Sequence, residues 1–352
     1  MALRHGWAAR RGVSSIARRA DYVVVGAGSA GCVLTHRLSA SGASVLLLEA
    51  GGDAALRDSG RLGLISRMPT ALAMPMHERA YNWAYETEPS PALNGRRVSC
   101  PRGRGLGGSS AINGMVYVRG HARDYDAWDA AMGGDGAWCG AAVLPYFRRM
   151  EAVCAAAADA DAADAASRGA LRGVSGPMQV KHGTNALGSP LYAAFIAAGA
   201  EAGYGTPPGD YNGSRQEGVS PMPMTVFHER DHARRGERCS AAAAYLEAAE
   251  TDAVAHPRLR RVTGARARRV LFDASADGPP RACAVEYADD AGCVHVASAD
   301  REVVLCAGAI ESPHLLQLSG VGPPALLDAL GIPVVSPLDG VGANLQDHLA
   351  SS

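Results

Sequence analysis

The stretch DYVVVGAGSAGCVLTHRLSASGASVLLLEAG, residues 21–51, decides the fold. It opens with a short apolar run at 22–25, which is typical of a buried parallel strand. A helical pattern follows at 32–38, and a second apolar run at 45–48 predicts another buried strand. A strand, a helix and a strand within this length predict the βαβ unit that binds dinucleotides.

A glycine motif joins the first strand to the helix. Gly26 permits the tight turn, Gly28 lets the backbone approach a pyrophosphate, and Gly31 lets the helix pack closely on the strand. Glu49 ends the second strand, where an acid accepts hydrogen bonds from ribose hydroxyls and disfavours a 2′-phosphate. The residues of this unit that we expect to bind the cofactor are Gly26, Gly28, Ser29, Gly31, Glu49 and Ala50.

A second glycine-rich segment, PRGRGLGGSSAINGMVY at 101–117, narrows the class of dinucleotide. It resembles the glucose–methanol–choline (GMC) oxidoreductase family. So do GAIESP at 308–313 with SGVG at 319–322, which resemble that family's second signature, and NLQDH at 344–348. The resemblance covers nearly all of the chain from residue 21 to 348, and it implies FAD as the cofactor.

The residues of this second segment suit a flat ring system and its phosphates. A pair of glycines, Gly107 and Gly108, removes side chains where a ring must approach the backbone. The resemblance places Gly107, Gly108, Asn113, Gly114, Met115 and Val116 against the flavin and its phosphates. It also places Trp83 and Arg102 on the flavin side, although ordinary packing and surface charge remain open alternatives for these two. Ala307 is expected near the ADP part. Where some members attach FAD through a histidine, this chain has Ile112, so we expect non-covalent FAD.

Further details favour the choline dehydrogenase branch of the family. The stretches YNWAYETEP at 81–89, MVYVRGH at 115–121 and QEG at 216–218 resemble it. The implied reaction is oxidation of choline to betaine aldehyde, with hydride transfer to flavin N5. Two alternatives stay open: a non-catalytic FAD-binding fragment, or another member of the aryl-alcohol oxidase or fatty-acid photodecarboxylase type.

No residue of this chain is predicted to be catalytic. Family members carry a catalytic histidine, with a second histidine or asparagine, near the C-terminus, where imidazole acts as the base on the substrate hydroxyl. His121 and His348 do not lie in that motif. We therefore expect the catalytic part to lie beyond Ser352, in a longer protein of which this chain is the N-terminal portion.

The chain is predicted to have an α/β, Rossmann-like FAD-binding fold with a β-meander and a partial α+β substrate domain. We divide it into a transit peptide at 1–20, a first part of the FAD-binding domain at 21–165, a partial substrate domain at 166–250, and a second FAD-binding part at 251–352. The meander is indicated by short apolar runs, separated by turns, at 269–272, 282–287 and 294–296. A further buried strand is expected at 302–306, and a helix is expected to start at Ser312-Pro313, because serine is a good N-cap and proline suits the first helical position.

The N-terminal residues and the overall composition suggest a location and partners. Residues 1–20 carry five arginines and no acid, which is the pattern of an organellar transit peptide and predicts a mitochondrial, alternatively plastid, location. The net charge of −1 gives no indication of nucleic-acid binding. We expect a small alcohol substrate and leave open the electron acceptor, the oligomeric state and peripheral association with a membrane.

One short motif suggests a metal site but is assigned none. HERDH at 228–232 matches the H-E-x-x-H pattern of zinc proteases, which requires both histidines on one face of a helix. The preceding residues alternate and include Pro221 and Pro223, which predicts a strand leading into a charged turn. No CxxC pair is present among the eight cysteines.

Overall fold

The computed structural model describes residues 18–53, 60–71, 74–154, 171–182, 190–207, 210–273 and 278–347. The chain divides into two compact units. The first unit comprises residues 1–65, 74–112 and 241–352, and the second comprises 66–73 and 113–240. The structural boundary at 112/113 lies earlier than the predicted boundary at 165, and the predicted four-part division stays a prediction.

The elements follow one another in chain order along the described residues. The strands are β1 (Arg18–Val25), β2 (Val45–Leu48), β3 (Tyr85–Glu86), β4 (Ser99–Cys100), β5 (Glu151–Val153), β6 (Met178–His182), β7 (Pro223–Met224), β8 (Leu259–Val262), β9 (Arg266–Asp273), β10 (Arg281–Ala288), β11 (Val294–Leu305), β12 (Val321–Gly322) and β13 (Ser336–Pro337). The α-helices are α1 (Ser29–Ala40), α2 (Arg61–Arg67), α3 (Met74–His77), α4 (Ala122–Ala131), α5 (Gly140–Met150), α6 (Pro190–Glu201), α7 (Glu247–Thr251), α8 (Gly308–Leu318) and α9 (Pro324–Ala329). A π-helical stretch, Ala242–Leu246, leads into α7.

A six-stranded sheet forms the centre of the first unit, in the order β8-β2-β1-β11-β10-β9. Strands β8, β2, β1 and β11 are parallel to one another, whereas β11, β10 and β9 form an antiparallel meander. The apolar run of β2 is almost fully buried, as expected of a strand covered on both faces. The predicted Rossmann-like fold and its meander are confirmed.

The core of the first unit lies on this sheet and under the helix that follows the meander. Val25, Leu48 and Val285 are buried in it together with Leu315 of α8. Apolar surface removed from water stabilises a fold by roughly 25 cal/mol per Å². Because the core joins residues from both ends of the chain, the parallel sheet forms only when β1 and β2 meet β8 and β11.

The second unit contains a three-stranded sheet, in the order β5-β6-β7. Beside it lies a buried ion network built around Glu151, whose side chain is 0% exposed. Its carboxylate pairs with Arg119 at 2.5 Å and with Arg172 at 3.0 Å, and accepts a hydrogen bond from the Gly173 amide at 2.7 Å. We name these groups, together with Asp210 and His182, the buried ion network.

Asp210 completes the network on the side of β6. It pairs with Arg172 and, at 2.8 Å, with the Nε2 atom of His182. Burial alone would raise the pKa of Asp210, but the His182 hydrogen bond and the charge of Arg172 hold that pKa well below its usual range. The carboxylate therefore stays ionised inside the second unit.

The structure corrects three details of the sequence-based expectations. Residues 294–296 and 302–306 were predicted as separate strands, but one strand, β11, runs from Val294 to Leu305. The last long helix was predicted to start at Ser312-Pro313, but α8 starts at Gly308 and contains Pro313. Residues 18–20, predicted to belong to a transit peptide, lie in β1, and residues 1–17 lie outside the described part of the chain.

Candidate dinucleotide site

A cavity of about 440 Å³ opens at the carboxyl edge of the parallel strands in the first unit. The register pairs Val25 with Leu48 of β2 and with Leu305 of β11, so these strands end at one level. The residues that follow them, Gly26 and Glu49 among them, line the cavity. Open parallel sheets bind ligands at this edge, which makes the cavity the candidate site.

The first glycine segment, residues 26–31, forms the turn from β1 into α1. A Cβ atom at Gly31 would lie 1.9 Å from the Gly26 carbonyl oxygen, so only glycine allows the helix to pack this closely. Gly28 is the N-cap of α1 and has no side chain to cap it, and the first turn contains no acid. The N-terminal amides of α1 are thus available to an anion, such as a phosphate, in the cavity.

The second glycine segment, residues 101–117, packs its backbone against the first. The Gly107 amide donates to the Ala27 carbonyl at 2.8 Å. Gly108 has a φ of +51°, and a Cβ atom there would lie 2.8 Å from the Gly28 Cα atom. The positive φ and the close approach to Gly28 both favour glycine at 108. This part of the cavity wall therefore consists of backbone without side chains.

Glu49 is buried beneath this wall, and its carboxylate contacts both glycine segments. The Oε2 atom accepts from the Ala27 amide at 2.8 Å. The Oε1 atom accepts from the amides of Gly51 at 2.8 Å and Gly105 at 2.9 Å. Burial raises the pKa of Glu49, whereas these amides and the charge of Arg104 oppose that rise by favouring the ionised form.

An aromatic wall closes another side of the cavity. Trp83 lies with the Arg104 guanidinium 5.3 Å and the Arg266 guanidinium 5.5 Å from its ring centre. The Tyr85 ring stacks on it at 6.0 Å, and the Tyr85 hydroxyl donates to Glu311 of α8. Guanidinium groups beside an indole and a phenol provide positive charge next to flat apolar surface, which suits an anionic, aromatic ligand.

The structure brings most of the predicted cofactor-binding residues of the first unit to this cavity. Those that line it are Gly26, Gly28, Ser29, Glu49, Ala50, Trp83, Arg102, Gly108 and Ala307. Gly31 and Gly107 do not line it. They support its wall instead: Gly31 packs against Gly26, and Gly107 donates a hydrogen bond to Ala27. The role of each in binding a cofactor stays a proposal.

The remaining predicted residues, 113–116, belong to the second unit. The Oδ1 atom of Asn113 accepts from the Met115 amide at 3.1 Å and from the buried Arg238 at 2.8 Å. Met115 is fully buried with a φ of +62°, while Val116 is about half exposed. A Cβ atom added at Gly114 would meet no atom within 4 Å. These four residues are not among those that line the cavity, and a flavin contact stays a prediction for them.

Several cavity residues were missed by the sequence reasoning. Tyr85, Arg266 and Glu311 line the cavity, as does Ala265, which follows β8. The signal that could have found Ala265, Arg266 and Glu311 is the order of the strands, because residues following β8 and β11 must share the edge occupied by Gly26. Tyr85 belongs to β3, outside this sheet, and the strand order does not predict its position. The apolar runs were recognised from the sequence, but their neighbours in the sheet were not.

The predicted absence of a helix at the H-E-x-x-H motif is confirmed, because residues 228–232 are irregular with a turn at 230–231. The Nε2 atom of His228 lies 2.9 Å from the Ala152 carbonyl oxygen, and the His232 ring stacks on Phe227 at 4.1 Å. Within the described ranges, no group of three or more histidine, cysteine, aspartate or glutamate residues could hold a metal ion.

A histidine pair connects α1 with the residues between α7 and β8. The rings of His36 and His256 are 4.8 Å apart, and Tyr245 approaches His36 edge-on at 5.6 Å. The Ser39 hydroxyl lies 2.7 Å from the Nδ1 atom of His256. Burial, followed by the charges of His256 and Arg37, lowers the pKa of His36 from 6.5 to about 4.

We expect the stability of the first unit to fall as the pH is lowered from about 6.5 to about 4. The folded state resists protonation of His36 in that window, whereas the unfolded chain binds the proton, so protonation favours unfolding. Above pH 6.5, His36 is neutral in both states, and the stability of the first unit does not decrease through its protonation. Urea midpoints measured across this window for the wild type and for His36→Gln check the expectation. The variant should show a shallower pH dependence, and an unchanged slope would contradict the role of His36.

The sequence comparisons identify the family. The sequence model described as GMC oxidoreductase, N-terminal part, matches residues 20–350. This match spans more than half of the chain, and the chain therefore belongs to the GMC oxidoreductase family, whose members are FAD-dependent oxidoreductases.

The chain is similar to bacterial enzymes over almost all of its length. It is 46% identical over 333 residues to an oxygen-dependent choline dehydrogenase of Paraburkholderia phytofirmans, a match covering 94% of this chain and 53% of that protein. The corresponding enzyme of Pectobacterium atrosepticum gives the same values. The chain thus spans about half the length of the curated relatives that it matches, and it corresponds to their N-terminal part.

Solved structures show the same fold. Pyridoxine 4-oxidase from Mesorbium loti matches with a TM-score of 0.75 and 34% identity, over 91% of this chain and 55% of that chain. An FAD-dependent oxidoreductase from Chaetomium thermophilum matches with a TM-score of 0.75 and 30% identity, over 91% of this chain and 51% of that chain. Both matches support the Rossmann-like assignment of the first unit.

The predicted mitochondrial or plastid location is wrong. The choline dehydrogenase relatives are bacterial, which points to a bacterial protein, and the transit-peptide interpretation of residues 1–20 loses its support. An arginine-rich, acid-free segment is a compositional pattern, and composition alone did not distinguish a targeting signal from a basic N-terminus. Among the described residues, no helix has the length and apolar character needed to cross a membrane.

Proposed function

We propose that this chain forms the FAD-binding part of an alcohol oxidoreductase that oxidises choline to betaine aldehyde. The observation that carries the proposal is the cavity at the carboxyl edge of the sheet, where two glycine segments expose bare backbone beside the N-terminus of α1. The substrate is argued from similarity: the choline dehydrogenases are 46% identical, whereas a fungal aryl-alcohol oxidase structure is 26% identical.

The residues of the cavity fit an adenine dinucleotide. The amides at the start of α1 would hold the pyrophosphate, because a helix N-terminus combines free N–H donors with partial positive charge. Gly108 would let the second glycine segment lie directly against the first beside this N-terminus, because a Cβ atom there would meet the Gly28 Cα atom at 2.8 Å. When bound, FAD accepts the hydride that leaves the alcohol carbon.

We propose that the cofactor is held without a covalent bond. Ile112 occupies the position at which some members of the family carry the attaching histidine, and its side chain is buried against Tyr81 and Ala111. An alkyl side chain provides no nucleophile for the flavin. The affinity must then come from backbone donors and close packing, which makes the glycine segments the residues most sensitive to substitution.

Other aspects of the activity stay predictions. No residue of this chain is proposed as the base that takes the hydroxyl proton of the alcohol. The residues at 113–116, Trp83 and Arg102 are proposed to contact the flavin side of the cofactor.

A reduction experiment tests the proposed substrate. The full-length gene product, loaded with FAD, is mixed without oxygen with choline and, separately, with 3,3-dimethyl-1-butanol, which has a similar shape and no charge. We expect choline to bleach the flavin absorbance and the uncharged alcohol to act far more slowly. Bleaching by aromatic alcohols but not by choline would overturn the proposed substrate and leave the FAD site intact.

We expect Gly108→Ala to weaken FAD binding by roughly 10- to 100-fold. The new Cβ atom would meet the Gly28 Cα atom at 2.8 Å, and alanine is strained at a φ of +51°. Overpacking of this kind costs about 1–3 kcal/mol, and each 1.4 kcal/mol is a tenfold change in affinity. Fluorescence titration with FAD measures the change. Gly52→Ala is the matched control, because no atom lies within 4 Å of its added Cβ.

A further inference from the structure

A short β-hairpin forms one wall of the cavity in the first unit. Its strands, β3 and β4, have two residues each and pair in a separate two-stranded sheet. We name residues 83–102 the cavity hairpin, and they contribute Trp83, Tyr85 and Arg102 to the lining. An isolated two-stranded hairpin is at best marginally stable in water. The position of this wall therefore depends on contacts with other parts of the unit.

A side-chain hydrogen bond joins the cavity hairpin to α8. The Tyr85 hydroxyl donates to the Oε1 atom of Glu311. The other carboxylate oxygen of Glu311, Oε2, lies 3.2 Å from the Nδ1 atom of His314, three residues further along the helix. Tyr85 and Glu311 both line the cavity. The bond thus connects two elements that border the proposed cofactor site and lie far apart in the sequence.

The surroundings of this hydrogen bond favour it. Glu311 lies in the first turn of α8, where a carboxylate interacts favourably with the helix dipole. Burial and then the Glu311 carboxylate raise the pKa of Tyr85, so the phenol keeps its proton and remains a donor. A hydrogen bond to a carboxylate is roughly twice as strong as one between neutral groups. The pair is therefore suited to anchor the hairpin.

The same bond orients the Trp83 ring. The rings of Trp83 and Tyr85 are stacked, with their centres 6.0 Å apart and an angle of 6° between their planes. The Arg266 guanidinium, at the start of β9, lies 5.5 Å from the Trp83 ring centre. A hairpin released from Glu311 would therefore also lose the fixed orientation of the indole in the cavity wall.

We infer that Tyr85 and Glu311 act as positioning residues, whose hydrogen bond holds the cavity hairpin against α8 and retains the dinucleotide in the cavity. This inference rests on the proposed FAD site and goes beyond it by assigning retention of the cofactor to a side-chain pair outside the glycine segments. Opening of a lid sets the rate of ligand release in many enzymes. Loss of the bond then accelerates release of FAD, because the closed arrangement is no longer held.

The rate of FAD release tests this role. The FAD-loaded full-length gene product is mixed with a phosphodiesterase that cleaves released FAD, and the fluorescence of the resulting FMN is followed with time. We expect Tyr85→Phe and Glu311→Ala each to accelerate release about tenfold. The double variant should show a similar factor, because both changes remove the same bond. Glu311→Gln keeps an acceptor oxygen and should accelerate release only about threefold.

Tyr22→Phe is the matched control. Tyr22 lies in β1 of the same unit and is not among the residues that line the cavity, and the Arg301 guanidinium lies 5.8 Å from its ring centre. This variant should release FAD at the wild-type rate. Hydrogen exchange of the FAD-free protein provides a readout independent of the ligand. The amides of residues 83 and 87, which donate across the hairpin at 2.9 Å, should exchange faster in Tyr85→Phe and at the wild-type rate in Tyr22→Phe.

Three results would overturn the inference. One is release of FAD from Tyr85→Phe at the wild-type rate, and another is a factor for the double variant that equals the product of the single factors. The third is equal acceleration by Glu311→Gln and Glu311→Ala, which would assign the effect to the charge at the start of α8. If the wild type takes up no FAD, the proposed function itself fails, whereas hydrogen exchange still decides whether the bond holds the hairpin. Should Tyr85→Phe not fold, the order of release rates for the two Glu311 variants decides.

Discussion

Replacing Glu151 by glutamine is expected to lower the free energy of unfolding of the second unit by about 3–5 kcal/mol. Glu151 is 0% exposed and is the common partner of Arg119 and Arg172, whose side chains are 7% and 4% exposed. Glutamine has almost the same volume, so packing is preserved while the negative charge is lost. The guanidinium groups of Arg119 and Arg172 would then remain buried, and Asp210 would be the remaining acid of the buried ion network.

Urea unfolding followed by tryptophan fluorescence measures this loss. The matched control is Glu88→Gln, because Glu88 pairs with Arg97 at 3.3 Å but its side chain is 88% exposed. A solvent-exposed pair contributes less than about 1 kcal/mol. Equal effects of the two substitutions would contradict the role assigned to burial in the ion network.

Replacing Gly31 by alanine is expected to abolish FAD binding and to destabilise the first unit by about 3 kcal/mol, the upper range for overpacking. The added Cβ atom would lie 1.9 Å from the Gly26 carbonyl oxygen and 3.3 Å from the Cys306 Cβ atom. The first of these neighbours is backbone, so relief requires α1 to move away from β1. That movement displaces the N-terminal amides proposed to hold the pyrophosphate.

The effect of Gly31→Ala is measured by urea unfolding and by titration with FAD. Gly52→Ala again serves as the control, since its added Cβ meets no atom within 4 Å and should leave both quantities near the wild-type values. A Gly31→Ala protein that is as stable as the wild type and binds FAD equally well would show that α1 does not pack on the turn as described.

The first βαβ unit could be predicted closely from the sequence because its signals are local. The apolar run at 45–48 coincides with β2, and the helix and strand on either side of Gly28 were both recognised. These elements are indicated by apolar periodicity and by glycine spacing, and both patterns lie within a short stretch of sequence. The predicted resemblance to GMC oxidoreductases is confirmed by the family match over residues 20–350.

Other features could not be read from the sequence because they depend on contacts between distant residues. Glu49 was recognised as a cofactor residue, but its bonds to amides at 27 and 105 required the folded loops. The predicted helix start at Ser312-Pro313 is wrong: these residues are a good local signal for a helix N-terminus, but α8 begins at Gly308, shortly after β11 ends at Leu305. The local preference of serine and proline for a helix start therefore did not predict the first residue of α8.

The most direct test of the account is whether the purified chain carries FAD that can be released. The protein is incubated with FAD, passed through a desalting column, and its flavin absorbance is recorded before and after acid precipitation. We expect a yellow protein with about one FAD per chain, and all of the flavin in the supernatant after precipitation. A folded, colourless protein that takes up no FAD would contradict the central claim, and flavin retained in the precipitate would contradict non-covalent binding.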